Sequence, residues 1–456
     1  MKLVYDVKDK PSFGKTLVFA LQQLLAIMAA TIAVPMIISG SYDSVGDVSM
    51  STAAALFGAG VGTLVYLLFT KFRSPVFLGS SFAFLGSMSA AFAGAASMQA
   101  GYLGLIIGAV LAGLVYVVIA LVVKIAGVGW IDKLMPAVVI GPTVAIIGLS
   151  LSGNAVGDLV KGSVLNAEGV PVANTYIALL CGLVTLAVTM LCSTYGKKMI
   201  KMIPFIIGIV AGYAVAAIFT VIGKAAGVEA LQVINFSAFE NMQWLPDFTF
   251  LEAFKGVKDI SGGYIATLAV AYVPVAFVVF AEHIADHKNI SSIIEKDLLK
   301  EPGLHRTLLG DGVGSMLGAF FGGCPNTTYG ESVGCVAISG NASVVTILTT
   351  AILAIVIAFV APFIAFLSTI PSCVMGGVCI ALYGFIAVSG LKMIQNVDLG
   401  DNRNLLVVSV ILIAGVGGLT LNFGKVTLTQ VACALILGIL TNLILKKRDG
   451  KKSSDK

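Results

Sequence analysis

This sequence contains few charged residues. Lys, Arg, Asp and Glu make up 11% of its 456 residues, whereas hydrophobic residues make up 58%. A soluble domain carries about 25% charged residues. This shortage excludes water as the main solvent of the folded chain, so the sequence predicts an integral membrane protein. The extramembrane segments are too short to form a soluble catalytic domain.

Three further absences narrow the class of protein. The seven Cys residues form no C-x-x-C pair and show no metal-ligand spacing with His, so we expect neither a structural metal nor a cofactor. The first fifteen residues hold four Lys and no apolar run, which predicts a cytoplasmic N-terminus rather than a cleaved signal peptide. No cluster of His or Cys resembles a nucleophile with its base, so we expect no enzyme.

Long windows without charge divide the chain into membrane spans. One helix needs about 20 apolar residues to cross the bilayer, so the windows 74–123 and 332–391 must fold back. Counting about fourteen crossings from a cytoplasmic N-terminus puts the basic groups inside and predicts a cytoplasmic C-terminus. The net charge of +5 therefore reflects orientation, and we expect no nucleic-acid partner. The predicted spans are 16–39, 51–70, 75–93, 101–123, 130–152, 174–193, 202–223, 262–286, 308–323, 325–340, 342–369, 371–391, 404–421 and 426–446.

Two segments, 77–94 and 322–340, are predicted to interrupt their helices. Both are rich in Gly, Ser or Thr, and 325–330 also holds a Pro. Each lies in the third span of its half of the chain. Matching interruptions are typical of an inverted-repeat transporter with its site near the bilayer midplane. The alternative is a pair of Gly-rich helices that pack closely through small residues.

Two carboxylates in apolar surroundings are the main candidates for binding a solute and its coupling proton. Glu282 follows the uncharged window 260–281, and Glu331 lies between the uncharged windows 312–330 and 332–391. An ionised carboxylate at this depth costs at least about 2.5 kcal/mol, so it is a functional hypothesis by default.

Backbone donors are predicted beside these acids. Glu331 directly follows the expected break at Tyr329 and Gly330, where a half-helix would point free N–H groups at the site. The matching break at Ser80, Ser81 and Phe82 would supply a second set. Carboxylate acceptors combined with backbone donors suit a planar cyclic imide, and nucleobases have such an edge.

Other polar residues are weaker candidates. Asp286, one turn after Glu282, fits either a proton-coupling role or contact with cytoplasmic water. We expect His283 to be a packed or interfacial residue, and His287 and His305 to be solvated.

Asp311 fits a cap or interface position as well as a cavity position. Gln23 could reach the site, but a hydrogen bond between helices is favoured.

Six stretches show that the chain resembles the nucleobase/ascorbate transporter family (nucleobase:cation symporter-2), and within it the bacterial uracil permeases. They run along nearly the whole chain in family order, and AEH followed by PNTTYGE is the specific signature. The stretches are LQQLLAIMAATIAVP (21–35), FLGSSFAF (77–84), GWIDKLMPAVVIGPTVAIIGL (129–149), AEHIADH (281–287), KDLLKEPGLHR (296–306) and PNTTYGESVG (325–334).

The resemblance implies an all-α polytopic membrane protein with fourteen spans in a 7+7 inverted repeat, and short antiparallel strands in spans 3 and 10. It also implies a core domain that moves against a gate domain in a bacterial cell membrane. The implied segments are a cytoplasmic N-terminus (1–15), core spans (16–124 and 262–369), gate spans (125–224 and 370–447), an extracellular connector (225–261) and a cytoplasmic tail (448–456).

The resemblance further implies proton-driven uracil import, with Glu282 and Glu331 as the substrate-binding acids. Phe82 and Gly330 would lend backbone N–H groups, and Tyr329 would line the pocket. Besides uracil and protons, the implied partners are the lipid bilayer and, as one alternative for the oligomeric state, a second copy of the chain.

This sequence departs from the family pattern at three places. Asp286 stands where some uracil transporters have His, Gln22-Gln23 replaces a Gln-His pair, and Ser332 stands where many members carry Asn. Uracil is still favoured, because purine-type members usually show a Gln-Asn pair at the last motif.

Xanthine or another purine base is the alternative substrate. A less favoured class is an anion exchanger or channel, which should carry a cation at its site rather than two acids. A scaffolding membrane protein would not account for the isolated Glu331.

Overall fold

The computed structural model describes residues 3–127, 129–130, 136–166, 169–197, 199–240, 242–423 and 426–445. These residues form helices joined by short loops, together with three two-stranded antiparallel sheets. The helices are α1 (Phe13–Ile38), α2 (Thr52–Phe69), α3 (Leu85–Ala93), α4 (Met98–Ala126), α5 (Ala137–Ser150), α6 (Ser152–Asp158), α7 (Thr175–Tyr195), α8 (Met199–Met202), α9 (Pro204–Ala226), α10 (Thr249–Ala253), α11 (Gly262–Ile294), α12 (Leu304–Gly322), α13 (Gly330–Ser339), α14 (Val344–Ile357), α15 (Ala361–Ser368), α16 (Ser372–Met393), α17 (Asn402–Val416) and α18 (Gln430–Ile444). The strands are β1 (Gly40–Tyr42), β2 (Gly46–Val48), β3 (Leu78–Ser80), β4 (Asn326–Thr328), β5 (Leu421–Phe423) and β6 (Val426–Leu428).

The described helices confirm a multi-pass membrane protein. Seven of them, together with Ala137–Asp158, which α5 and α6 form jointly, are long and apolar enough to cross a bilayer, and α14 with α15 would add a ninth span that is bent by 83°. Where the structure describes them, the predicted spans contain a helix or a strand followed by a helix, except 342–369, which contains the two helices α14 and α15. The count of fourteen crossings and the inverted repeat stay predictions, and the predicted tail 448–456 lies outside the described residues.

Two features of the predicted topology were wrong. The span placed at 262–286 continues as α11 to Ile294, because His287, Ile290 and Ile294 are buried against neighbouring helices rather than solvated. In addition, β1 with β2 and β5 with β6 form hairpins that the sequence analysis did not predict. The last predicted span therefore begins as a strand, and its helix starts at Gln430.

Glycines allow α2 and α12 to pack with their backbones in contact. A Cβ atom on Gly58 would lie 2.7 Å from the carbonyl oxygen of Gly318, and one on Gly62 would lie 2.8 Å from that of Gly314. Small residues at such positions are how helices approach closely in membranes, where the hydrophobic effect between helices is weak. Any larger residue there would force α2 and α12 apart.

The helices pack in two groups. One group contains α1 to α4 and α10 to α14, and the other contains α5 to α7, α9 and α16 to α18. A smaller set of contacts joins the groups, mainly between α11 of the first and α5, α18 and β6 of the second. An aromatic pair, Phe82 with Tyr383, also crosses this boundary with ring centroids 5.6 Å apart.

The N-terminal segment is bound to the end of α13. The backbone N–H of Val4 donates to Gly340 O (2.8 Å), and that of Ala342 donates to Tyr5 O (2.9 Å). Asp6 also pairs with Lys296, which follows α11, with 2.5 Å between Lys296 Nζ and Asp6 Oδ2. The segment thereby links the ends of α11 and α13.

Asp6→Asn should weaken this link by less than about 1 kcal/mol at pH 7, because both side chains are partly exposed. The Lys296 side chain lowers the pKa of Asp6. The pair therefore stabilises the fold above the unfolded-state pKa of about 3.9, and that contribution is lost as the pH falls through the lower folded-state value.

Limited proteolysis of the N-terminal segment in detergent between pH 3 and 7 measures this effect. Lys296→Gln should match Asp6→Asn, and the double variant should add nothing further. Additive losses would mean that the two side chains act independently.

Candidate functional site

A buried pair of short strands brings the two predicted interruptions together. Strand β3 pairs antiparallel with β4, with Leu78 opposite Thr328 and Ser80 opposite Asn326. All six residues are buried. Non-helical backbone inside a membrane protein must find its hydrogen-bond partners within the protein. Here the strands pair with each other, and the Thr63 side chain bonds to the N–H and C=O groups of Leu78. This confirms the strands expected in spans 3 and 10.

Each strand leads directly into a helix. After β3 comes a single 3₁₀ turn (Phe82–Phe84) and then α3, while α13 begins at Gly330. The first N–H groups of α13 have no acceptor within their own helix. Gly330 is exposed, and a Cβ atom on Gly334 would meet nothing within 4 Å. The first turns of α13 therefore face open space.

The carboxylates of α11 lie beside this opening. Glu282 and Glu331 are partly exposed, whereas Asp286 is 7% exposed and accepts a hydrogen bond from Thr328 Oγ1 (2.8 Å). A Cβ atom on Gly330 would lie 3.7 Å from Asp286 Oδ1. The proposal that Asp286 contacts cytoplasmic water is therefore wrong, since its side chain is turned towards β4 and α13.

Four acids share this region. The charges of Asp286, Glu331 and Asp311 all act on the carboxylate of Glu282. Among the described residues, no group of three or more His, Cys, Asp or Glu side chains is arranged to hold a metal ion.

The residues around the strands have structural contacts of their own. Tyr329 is buried, its ring covers Gly79, and its hydroxyl donates to Ser80 O (2.7 Å). The backbone N–H of Ser81 donates to Pro325 O (2.9 Å), so the sheet already uses that donor. The ring of Phe82 lies at the boundary with the second helix group. Of these, only the backbone of Phe82 stands at a helix start, as predicted.

Gln23 connects the first span to the start of α13. Its Nε2 donates to Ser332 Oγ at 2.5 Å, and the same oxygen accepts the backbone N–H of Phe77 (3.0 Å). Both Gln23 and Ser332 are buried. Gln23 therefore forms the hydrogen bond between helices that the sequence analysis favoured, one residue away from Glu331.

Comparison with known proteins identifies the family. A sequence model of a permease family (Xan_ur_permease) matches residues 14–423. The chain is 39% identical over 450 residues to the uracil permease of Bacillus caldolyticus, covering 98% of this chain and 96% of that protein. It is 35% identical over 443 residues to the uracil permease of Escherichia coli strain K12, covering 96% and 93%. This chain belongs to the nucleobase/ascorbate transporter family. It is accordingly a transporter of the cell membrane and not an enzyme.

A solved structure of another protein has the same fold as this transporter. The transmembrane domain of the cyanobacterial bicarbonate transporter BicA superposes with a TM-score of 0.61, covering 96% of this chain and 99% of that domain. Identity is 14%, so the likeness concerns the fold alone.

Sequence reasoning missed the polar contacts of the histidines on α11. His283 is fully buried, with Nδ1 2.6 Å from Asp311 Oδ2 and Nε2 2.9 Å from Thr307 Oγ1. His287 is also fully buried, which contradicts the expectation that it is solvated, whereas His305 remains partly exposed. The four-residue spacing of His283 and His287 puts both on one helix face, but it does not indicate whether that face meets water or neighbouring helices.

Gly79→Ala should disrupt the strand pair, because the new Cβ atom would lie 2.4 Å from the ring of Tyr329. Tyr329 cannot move without losing its bond to Ser80 O. We expect a loss of about 1–3 kcal/mol, which is typical of overpacking. Thermal unfolding in detergent, read together with uptake by vesicles, measures it.

Gly334→Ala is the matched control, since its Cβ atom would enter open space on α13. It should leave the unfolding temperature unchanged or slightly higher, because Ala favours a helix. Equal effects of the two variants would contradict the proposed packing.

Proposed function

We propose that this transporter imports uracil together with a proton. Relatives named uracil permeases, 35–39% identical over nearly the whole chain, support the substrate. The observation that supports the proposal is the pairing of β3 with β4, after which α13, with Glu331 in its first turn, contacts α11, the helix that carries Glu282. Both acids are partly exposed, and Gly330 beside Glu331 is exposed.

The chemistry of the site suits the edge of uracil, where N–H and C=O groups alternate. The carboxylates of Glu282 and Glu331 would accept the N–H groups. The backbone N–H groups at Gly330 and Phe82, at the starts of two helical segments, would donate to the carbonyl oxygens. Such a site favours a neutral planar amide over an anion, because its side-chain charges are all negative.

Proton coupling follows from the acids being close together. Like charges that lie close together in a partly buried region repel, so we expect the ionisation of one acid to oppose that of its neighbours. Binding of a neutral solute between Glu282 and Glu331 would stabilise one protonation state over another, with Asp286 as a further proton acceptor. Solute and proton would then cross together.

The two helix groups supply the moving parts. We propose that the spans in 16–124 and 262–369 form a core domain that carries the site, and that those in 125–224 and 370–447 form a gate. Movement of one against the other would expose the site to each side in turn. The connector 225–261 would lie outside the cell and both termini in the cytoplasm, with a homodimer as one possible assembly.

Glu331→Gln should lower uracil uptake by about 10–100-fold, the loss expected when a charge-assisted hydrogen bond worth about 1.5–3 kcal/mol is removed. Radiolabelled uptake into vesicles with and without an inward proton gradient measures it. Glu252→Gln, at an exposed acid of the connector segment, is the control and should leave uptake unchanged. Uptake that depends neither on the proton gradient nor on the carboxylate of Glu331 would contradict the proposal.

A competition panel tests the substrate directly. Unlabelled uracil should compete with labelled uracil more strongly than thymine, xanthine, hypoxanthine, ascorbate or bicarbonate. Stronger competition by xanthine would instead favour a purine permease. Competition by bicarbonate would favour an anion transporter, a function that the shared fold permits but the acidic site opposes.

A further inference from the structure

Two stacked histidines lie on α11 next to the proposed site. The ring centroids of His283 and His287 are 4.0 Å apart, with 26° between the ring planes. Each directly follows an acid of the site, Glu282 or Asp286. Because successive residues are about 100° apart around a helix, the histidines point away from the cavity when the acids face it.

The hydrogen bonds of His287 have fixed directions. Its Nδ1 lies 2.7 Å from the carbonyl oxygen of His283, which can only accept, so Nδ1 carries a hydrogen. In the neutral ring Nε2 is then an acceptor, and it takes the hydroxyl hydrogen of Tyr66 at 2.6 Å. Tyr66 Oη in turn accepts from Ser74 Oγ, also at 2.6 Å. All of these side chains are fully buried.

This array does not provide a route for protons. The chain of donors from Ser74 through Tyr66 to His287 ends at a backbone carbonyl, which cannot pass a proton on. The ring of His283 is stacked on that of His287 rather than hydrogen-bonded to it. His283 is held separately, by Asp311 and Thr307 of α12. The array is therefore suited to holding helices in place.

The array holds α11 through a different face from the one that carries the acids. Tyr66 belongs to α2, and Ser74 lies in the loop that leads into β3. On the other side of α11, Asp286 accepts the hydrogen bond from Thr328 of β4. Helix α11 is thus fixed on both sides to elements that continue into the strand pair.

We propose that His287 is a positioning residue which, through Tyr66, sets the rotation of α11 and so aims Glu282 and Asp286 at the solute. This role rests on the proposed uracil transport. Removing the Tyr66 hydroxyl leaves Nε2 of His287 without a donor and frees α11 to turn, which weakens the contact of Asp286 with Thr328.

Tyr66→Phe tests this with a single oxygen removed. We expect the half-saturation concentration for uracil uptake to rise about tenfold, with the pH profile of uptake unchanged. His287→Gln, which keeps a polar group near Nε2, should recover most of the affinity that His287→Ala loses. Tyr102→Phe is the matched control: its hydroxyl donates a bond of equal length (2.6 Å) to Ser49 O, remote from the acids, and uptake should not change.

Hydrogen exchange separates this proposal from the proposed function. In Tyr66→Phe without any solute, the amides of β3 and β4 should exchange at least tenfold faster than in the wild type, whatever the transporter carries. If the wild type does not take up uracil but Tyr66→Phe still exchanges faster, the proposed substrate is wrong and the positioning role stands. Unchanged exchange and half-saturation overturn the positioning role, and so does a shifted pH profile, which would indicate proton relay.

Discussion

Backbone hydrogen bonding inside the membrane is the constraint on which this structure depends. A chain that leaves helical geometry at that depth must pair its N–H and C=O groups within the protein. Here β3 and β4, which are far apart in sequence, pair only with each other. Because each strand is three residues long, α3 and α13 begin almost at once on either side. Two helix starts are thereby set near one point, which is what a binding site for carbonyl groups requires.

The strand pair in turn depends on close packing by small residues. Asn326 of β4 fits between α2 and α12, and its Nδ2 donates to Gly58 O (3.0 Å). A Cβ atom on Gly62 or Gly318 would collide with that amide. Interior packing this dense leaves little freedom, so the strands, the glycines and the start of α13 are fixed together. The glycines that make room for Asn326 therefore belong to the regular helices α2 and α12, outside the two interrupted segments.

Four acidic side chains determine the charge of the proposed site. Acids at 282, 286, 311 and 331 lie close enough for their charges to interact, but their surroundings differ. Asp311 is paired with a buried His283, and Asp286 accepts from Thr328, whereas Glu282 and Glu331 remain partly exposed. The two partly exposed acids are therefore the ones that we propose bind the solute. The two buried acids connect α11 to its neighbours.

Sequence alone determined the membrane class, the approximate helices and the two interrupted segments, and it is the source of the prediction that Glu282 and Glu331 bind the solute. Each depends on a local property: the scarcity of charged residues, the presence of Gly and Pro within a predicted helix, or a carboxylate isolated in an apolar stretch. Tertiary structure alone decided that Asp286 and His287 are buried, that Gln23 contacts Ser332, and that Ser81 gives its N–H to the sheet. Those outcomes depend on partners 40 to 310 residues away, as for Thr328 with Asp286 (42) and Gln23 with Ser332 (309). A reading of local pattern cannot identify such partners, because the same polar residue near a helix end fits water and a buried partner equally well.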